Sequence, residues 1–451
     1  MRATLTVERL SKLGDGAAAL EGRTVFVEGA LPGERVVAEV DTSEKIWHGR
    51  LLEVLAPSAA RRPPACPLAA QCGGCDWLHA DEVLQRSAKQ EIVLSALEHL
   101  GGIARVGLAV GEQAVSQRAL GYRRRAVFHF SKKRLAFFGR HSHALVAIDL
   151  CPALVPALAD LPPELSEALA GIAKDVHEVH VLAEGPQADP PPFSPSGVEG
   201  GPSTAPRDAR GERKRVSFAV FLTGPAARRH AEACEAAVRS LSVAGAVLVP
   251  KEGSPRLFGK PILRALAPLT PEVPVYLRPD AFAQANAEAN VALVAAVAQA
   301  AGAGPADRVL ELYSGHGNLT FALAGTAREV VAVESSGTAV ELAQRSAREG
   351  RVTNVRFVQG DVPKVCRGLV SEGQRFELVV ADPPRSGASG LGEWAKRLGT
   401  RRVVYVACDP ASLARDAAEL LAAGFTPLGL RLIDMFPQTR HAEAVMTLEA
   451  R

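Results

Sequence analysis

From residue 286 onward the chain alternates helix-like and strand-like runs, and that alternation admits few folds. NAEANVALVAAVAQAA (286–301) has helical periodicity. RVLELYS, VVAVES, VRFVQGD, FELVVADPP and RRVVYVACD then read as short buried strands, separated by helical stretches such as GTAVELAQRSAREG and SLARDAAELLAAG. Strands spaced this way pair in parallel, with helices covering both faces. The pattern predicts an α/β doubly wound sheet over residues 276–451. In such sheets ligands gather at the carboxyl ends of the strands, so the residues just after each run carry the functional reading.

The first strand runs into Tyr313, Ser314, Gly315, His316, Gly317 and Asn318. Glycines between a strand and a helix let backbone approach a ligand. Thr320 stands where the dinucleotide fingerprint has its third glycine, which argues against a nicotinamide cofactor and for S-adenosylmethionine. The second strand ends in Glu334, an acid able to accept ribose hydroxyls, and the third is followed by Asp361, placed to meet an adenine amino group. The fourth ends in Asp382-Pro383-Pro384-Arg385, an acid-Pro-Pro turn typical of methyltransferases acting on nucleobases. RNA cytosine-C5 methyltransferases keep a cysteine after the two prolines. Here that position is Arg385, which suits a solvated turn charge. The fifth strand instead delivers Cys408, and Glu443 follows in the terminal stretch DMFPQTRHAEAV. Taken alone, Cys408 also suits an inert core thiol, and Glu443 an ordinary surface acid.

Upstream the character changes twice. Residues 1–57 hold short strand candidates punctuated by turns at Gly14-Asp15-Gly16, Glu21-Gly22 and Pro32-Gly33, which predicts a small β-barrel. Residues 58–275 read as an α+β central domain. It contains an amphipathic helix at 81–100 and a segment at 121–143 that interleaves Phe128, Phe130, Phe137 and Phe138 with arginine and lysine. Such a segment binds RNA through phosphate contacts and stacking, or forms a hairpin with a charged outer face. Residues 185–215, dominated by Pro, Gly, Ser and charge, predict a disordered insertion.

The chain has seven cysteines, an odd number. Cys66, Cys72 and Cys75 form C-x5-C-x2-C, and Cys151 precedes a proline. Three close thiolates plus one distant Cys-Pro suit a four-iron cluster. Four thiolates also suit structural zinc, although zinc sites more often use paired C-x2-C knuckles. Cys234 and Cys366 read as packing residues. The formal charge of +3 is too small to imply a partner by itself. No run is apolar enough to cross a bilayer and MRATLTVERL has no signal-peptide pattern, so the expected location is cytoplasmic, with no membrane contact and no protein partner inferred.

LELYSGHGN, ADPPRSG, YVACDPASLARD and DMFPQTRHAEAV together resemble the RNA uracil-C5 (5-methyluridine) methyltransferase family. GDGAAALEGRTVFVEGALPGERV resembles the TRAM domain, an RNA-binding barrel. With C-x5-C-x2-C, the resemblance points to the branch acting on 23S ribosomal RNA and carrying a [4Fe-4S] cluster. It implies a Rossmann-like, S-adenosylmethionine-dependent catalytic domain behind a TRAM barrel and a central domain. It implies Cys408 as nucleophile, Glu443 as base, and Gln284 and Asp382 lining a pocket shared by cofactor and uracil. Tyr313, Asn318, Glu334 and Asp361 would hold S-adenosylmethionine, and Cys66, Cys72, Cys75 and Cys151 the cluster. The substrate uridine would be flipped out of its stack. The alternatives are a tRNA 5-methyluridine methyltransferase or a non-catalytic RNA-binding or folding factor.

Overall fold

The computed structural model describes residues 1–184 and 213–451. Five strands (Arg2–Leu10, Gly16–Leu20, Arg23–Val27, Arg35–Asp41 and Trp47–Ala56) close into a barrel. Alternate residues such as Leu5, Val7, Val25, Val27, Val36, Ala38 and Val40 fill its interior, the period-2 signature of a sheet with one wet face.

A seven-stranded sheet follows. Its middle strands are Val216–Leu222, Val176–Ala183 and Arg125–Ser131. The basic-aromatic segment forms the hairpin Arg125–Ser131/Arg134–Phe138, turning at Lys132 with φ 59°. Phe128 points into the core and stacks on Phe137 at 4.5 Å. Most of the expected disordered insertion, residues 185–212, lies outside the described residues. Its last part is corrected: Arg213 is buried and donates to both carboxylate oxygens of Glu164, each at 2.7 Å, so the packed chain has resumed there.

The carboxy-terminal sheet has the order Val355–Gln359, Glu329–Glu334, Arg308–Leu312, Leu378–Ala381, Arg402–Ala407, Glu443–Ala450, Phe425–Ile433, Ala109–Val110. The first five are parallel, as the βα alternation predicts. Glu443–Ala450 then inserts antiparallel between Arg402–Ala407 and Phe425–Ile433.

Two pieces assigned by sequence to the central domain belong to this sheet's surroundings. The helix Glu82–His99 packs on the helix Pro410–Ala422, and Val93 and Leu97 share a core with Leu413 and Leu420. The hairpin Leu263–Ala267/Thr270–Leu277 packs on the helix Gly337–Glu349, so a boundary at 275/276 would cut through a strand. Lys89 explains why the first piece is hard to place from sequence. It looks like a solvent-facing helix lysine, yet it is fully buried and bonds Asp434 Oδ1 at 2.7 Å. Among the described residues no helix is long and apolar enough to cross a membrane.

Candidate active site

The inserted antiparallel strand builds the site. Its ladder pairs Val406 with Val445 and Ala407 with Ala444. The next rung therefore sets Cys408, one residue past its strand, across from Glu443. Ala381 pairs with Tyr405 in the neighbouring ladder, which brings Asp382 to the same edge. Residues distant in sequence are thus placed together by register alone.

The turn bearing Asp382 and Arg385 is braced from behind. Asp416, fully buried on the helix Pro410–Ala422, accepts from Ala388 N at 2.6 Å and from the Tyr405 hydroxyl at 2.5 Å. Arg415 donates to Ser386 O at 2.6 Å. Asp409 caps that helix by accepting from Ser412 N at 2.8 Å, fixing the backbone just after Cys408.

The electrostatics couple these groups. Burial pushes the Cys408 thiol up to about 11, the Glu443 and Asp382 carboxylates push the same way, and Arg385, which also hydrogen-bonds the sulfur, opposes them. Burial, and then Asp382, hold Glu443 well above the usual carboxylate range, again opposed by Arg385. Burial raises Asp382 to about 7. A carboxylate with a raised pKa is the stronger base. Arg385 is exposed in its turn, as expected of a solvated turn charge, and its charge also acts on both reactive groups. Its position directly after Asp-Pro-Pro is the sequence feature that marks it.

Tyr313, Asn318, Glu334 and Asp361 lie at or after the carboxyl ends of strands of the same sheet, whereas Gln284 lies in the loop before the helix Ala287–Ala301. Tyr313 sits at the tip of its strand with φ 63°, a conformation a bulky residue adopts only when its surroundings impose it. Glu334 accepts from Gly315 N at 2.9 Å with one oxygen and from Ser336 N at 2.8 Å with the other. It also accepts from Ser335 Oγ at 3.1 Å, which leaves one lone pair of the carboxylate for a ligand. Asp361 caps the helix Val362–Ser371 through Lys364 N. Asn318 is locked to Asn290 by reciprocal amide bonds of 2.7 and 2.9 Å. A Cβ on Gly317 would lie 2.7 Å from the Phe321 ring, so that turn needs glycine. Gln284 is buried; its carbonyl accepts from Arg124 Nε at 2.9 Å. His316 bonds the Phe282 backbone, and burial holds its pKa down at about 4, so it is neutral.

The family of tRNA (uracil-5-)-methyltransferases matches residues 272–451, and the TRAM domain matches residues 2–46. An enzyme named 23S rRNA (uracil(1939)-C(5))-methyltransferase RlmD from Pseudomonas savastanoi pv. phaseolicola is 35% identical, the alignment covering 99% of this chain and 93% of the relative. The chain belongs to the RNA uracil-C5-methyltransferase family. The equally named enzyme of Vibrio campbellii is 32% identical, over 98% of this chain and 95% of its own. The crystal structure of Pyrococcus abyssi tRNA (uracil-54, C5)-methyltransferase with S-adenosyl-L-homocysteine shares the fold, with a TM-score of 0.68, 21% identity and coverage of 99% and 100% of the two chains. S-adenosylmethionine is the methyl donor of this family.

The cysteine quartet forms a second constellation. Cys66, Cys72, Cys75 and Cys151 line one cavity together with Leu68, Phe137 and Ile148. Burial, then the neighbouring Cys151, pushes the Cys75 thiol up to about 12. Among the described residues no group of three or more His, Cys, Asp or Glu is placed to hold a metal ion. Four thiols are a donor set that suits a four-iron cluster or a structural zinc.

Proposed function

We propose that this chain methylates C5 of a flipped-out uridine in 23S ribosomal RNA, with Cys408 as nucleophile and Glu443 as base. The observation that carries this reading is the ladder ending at Ala407–Ala444, whose next rung sets Cys408 across from Glu443, beside Asp382 and Arg385. Uracil C5 is a poor nucleophile. The Cys408 thiolate adds to C6, forming a C–S bond and leaving an enolate whose C5 takes the methyl group. Bound S-adenosylmethionine supplies that methyl as a sulfonium. The Glu443 carboxylate then removes the C5 proton, the C6–S electron pair returns to sulfur, and 5-methyluridine is released. Asp382 and Gln284 orient the base, while Tyr313, Asn318, Glu334 and Asp361 hold the donor. Radiolabelled methyl transfer to unmodified 23S rRNA but not to tRNA is the expected result; transfer to tRNA alone would overturn the substrate assignment. The ribosomal RNA assignment is supported by the names of full-length relatives, and it places the enzyme in the cytoplasm.

Arg385 makes the reaction workable near neutrality. Its charge and hydrogen bond lower the thiol pKa. Arg385→Gln is therefore expected to raise it further and to shift the pH–rate profile toward alkaline pH. Each unit removes about tenfold of the thiolate at neutral pH, and Arg385→Lys should recover part of it. An unshifted profile would assign Arg385 elsewhere.

Cys66, Cys72, Cys75 and Cys151 would hold a [4Fe-4S] cluster with a bracing role, since methyl transfer moves no electron. Purified protein is expected to contain iron and to absorb broadly in the visible, and Cys75→Ser to lose both. Stoichiometric zinc with no visible absorption would replace the cluster with a zinc site.

A further inference from the structure

A cavity of about 410 Å³ lies outside the catalytic edge, walled by Gly73, Gly74 and Asp76 of the cysteine loop, by Phe138 and Arg140, and by Arg123 and Arg440. Its three arginines differ in how they are committed. Arg140 donates to the Ala69 and Cys75 carbonyls at 3.0 and 2.8 Å and pairs with Glu28. Arg440 pairs with Asp76 and reaches Leu13 O. The Arg123 guanidinium donates no hydrogen bond among the described residues; its Nε is buried without a partner, and its one ring contact is Phe436, at 5.9 Å. Arg123 is half-buried, and its fork, which donates no hydrogen bond among the described residues, stands on the cavity wall in a form that suits phosphate. The opposite wall offers a flat apolar face: Phe138 is 44% exposed and its ring lies 4.4 Å from that of His129.

An anion site facing an exposed ring has the chemistry of a nucleotide pocket. We propose that this cavity binds a nucleotide flanking the target uridine, its phosphate on Arg123 and its base on Phe138. The proposal rests on the RNA methyltransferase reading above. Arg440 of the cavity wall directly precedes His441 in the loop that leads to Glu443. The Phe436 ring, contacted by Arg123, stands edge-on to His441 at 6.1 Å. These contacts link the cavity wall to the loop that ends at Glu443, so a strand presenting its uridine to Cys408 has this cavity beside it.

Arg123 also lines the thiol cavity and lowers the pKa of Cys72, Cys75 and Cys151, so the test needs a variant away from the thiols. Binding of full-length unmodified 23S rRNA transcript is measured by filter retention across a salt series, with iron content recorded for each variant. Arg123→Gln is expected to weaken binding and to reduce the slope of log K against log salt by about one, as loss of one phosphate contact requires. Phe138→Ala is expected to weaken binding about tenfold with the slope unchanged. Should Arg123→Gln lose its iron, Phe138→Ala carries the decision alone. Unchanged affinity in Phe138→Ala, or an unchanged salt slope in iron-replete Arg123→Gln, overturns the subsite. Failure of the unaltered protein to bind the transcript overturns the substrate assignment instead.

Discussion

Glu443→Gln should leave the protein covalently joined to its RNA. Glutamine keeps the shape and burial of the side chain but cannot take the C5 proton. The methylated adduct then has no route to expel the Cys408 sulfur. The expected observation is a slow-migrating protein–RNA band on a denaturing gel, carrying label from the methyl donor, while turnover falls by 10²–10⁴-fold, roughly the contribution of a positioned base. Cys408→Ala should abolish both band and transfer, because nothing else at that edge can add to C6. Normal turnover in Glu443→Gln would mean that another group takes the proton. The burial that raises Glu443 also fixes the pH dependence. The base must be ionised to act, so activity is lost as pH falls through its raised pKa and restored above it.

The second large effect lies outside the site. Lys89 and Asp434 form a buried pair, 0% and 3% exposed, and Lys89 also donates to Phe436 O at 2.9 Å. Asp434 opens the loop that ends at Glu443. The same loop is held by Gln85, which accepts from Gln438 N at 2.8 Å, and by the Tyr122 hydroxyl on Pro437 O at 2.9 Å. Replacing Lys89 with methionine strands the aspartate charge in a dry interior. The expected cost is about 3–5 kcal/mol, read as a lowered urea midpoint. The double change Lys89→Met with Asp434→Leu should recover much of that stability, because a buried pair replaced by apolar residues leaves no charge unpaired. A single variant as stable as the parent would mean that water reaches the pair.

These two cases mark what was legible in the sequence. The parallel sheet was readable because each strand is a short apolar run bounded by turn residues, and buried strands need that composition. The barrel was readable from its alternation. Cys408 and Glu443 could be named, but their meeting could not, since it depends on the terminal strand entering antiparallel between two others. Arg385 stands exposed in its turn, as its sequence setting suggests; its action on Cys408 could not be read there, because only the fold brings the two together. Lys89 was hidden for a similar reason, its partner lying 345 positions away. The placement of the helix Glu82–His99 was missed because its apolar stripe looks alike whichever sheet it covers. Local composition fixes an element's type, whereas its neighbours depend on contacts that composition does not encode.

The central claim is that sulfur of Cys408 bonds uracil C6 during methyl transfer. It is tested most directly with RNA carrying 5-fluorouridine, in which no C5 proton exists for Glu443 to remove, so the adduct cannot resolve. Digestion and tandem mass spectrometry of the product should place one methylated fluorouracil nucleotide on the peptide containing Cys408. Attachment at another cysteine, or complete methyl transfer to unsubstituted RNA with no adduct formed on the fluorinated one, would contradict it.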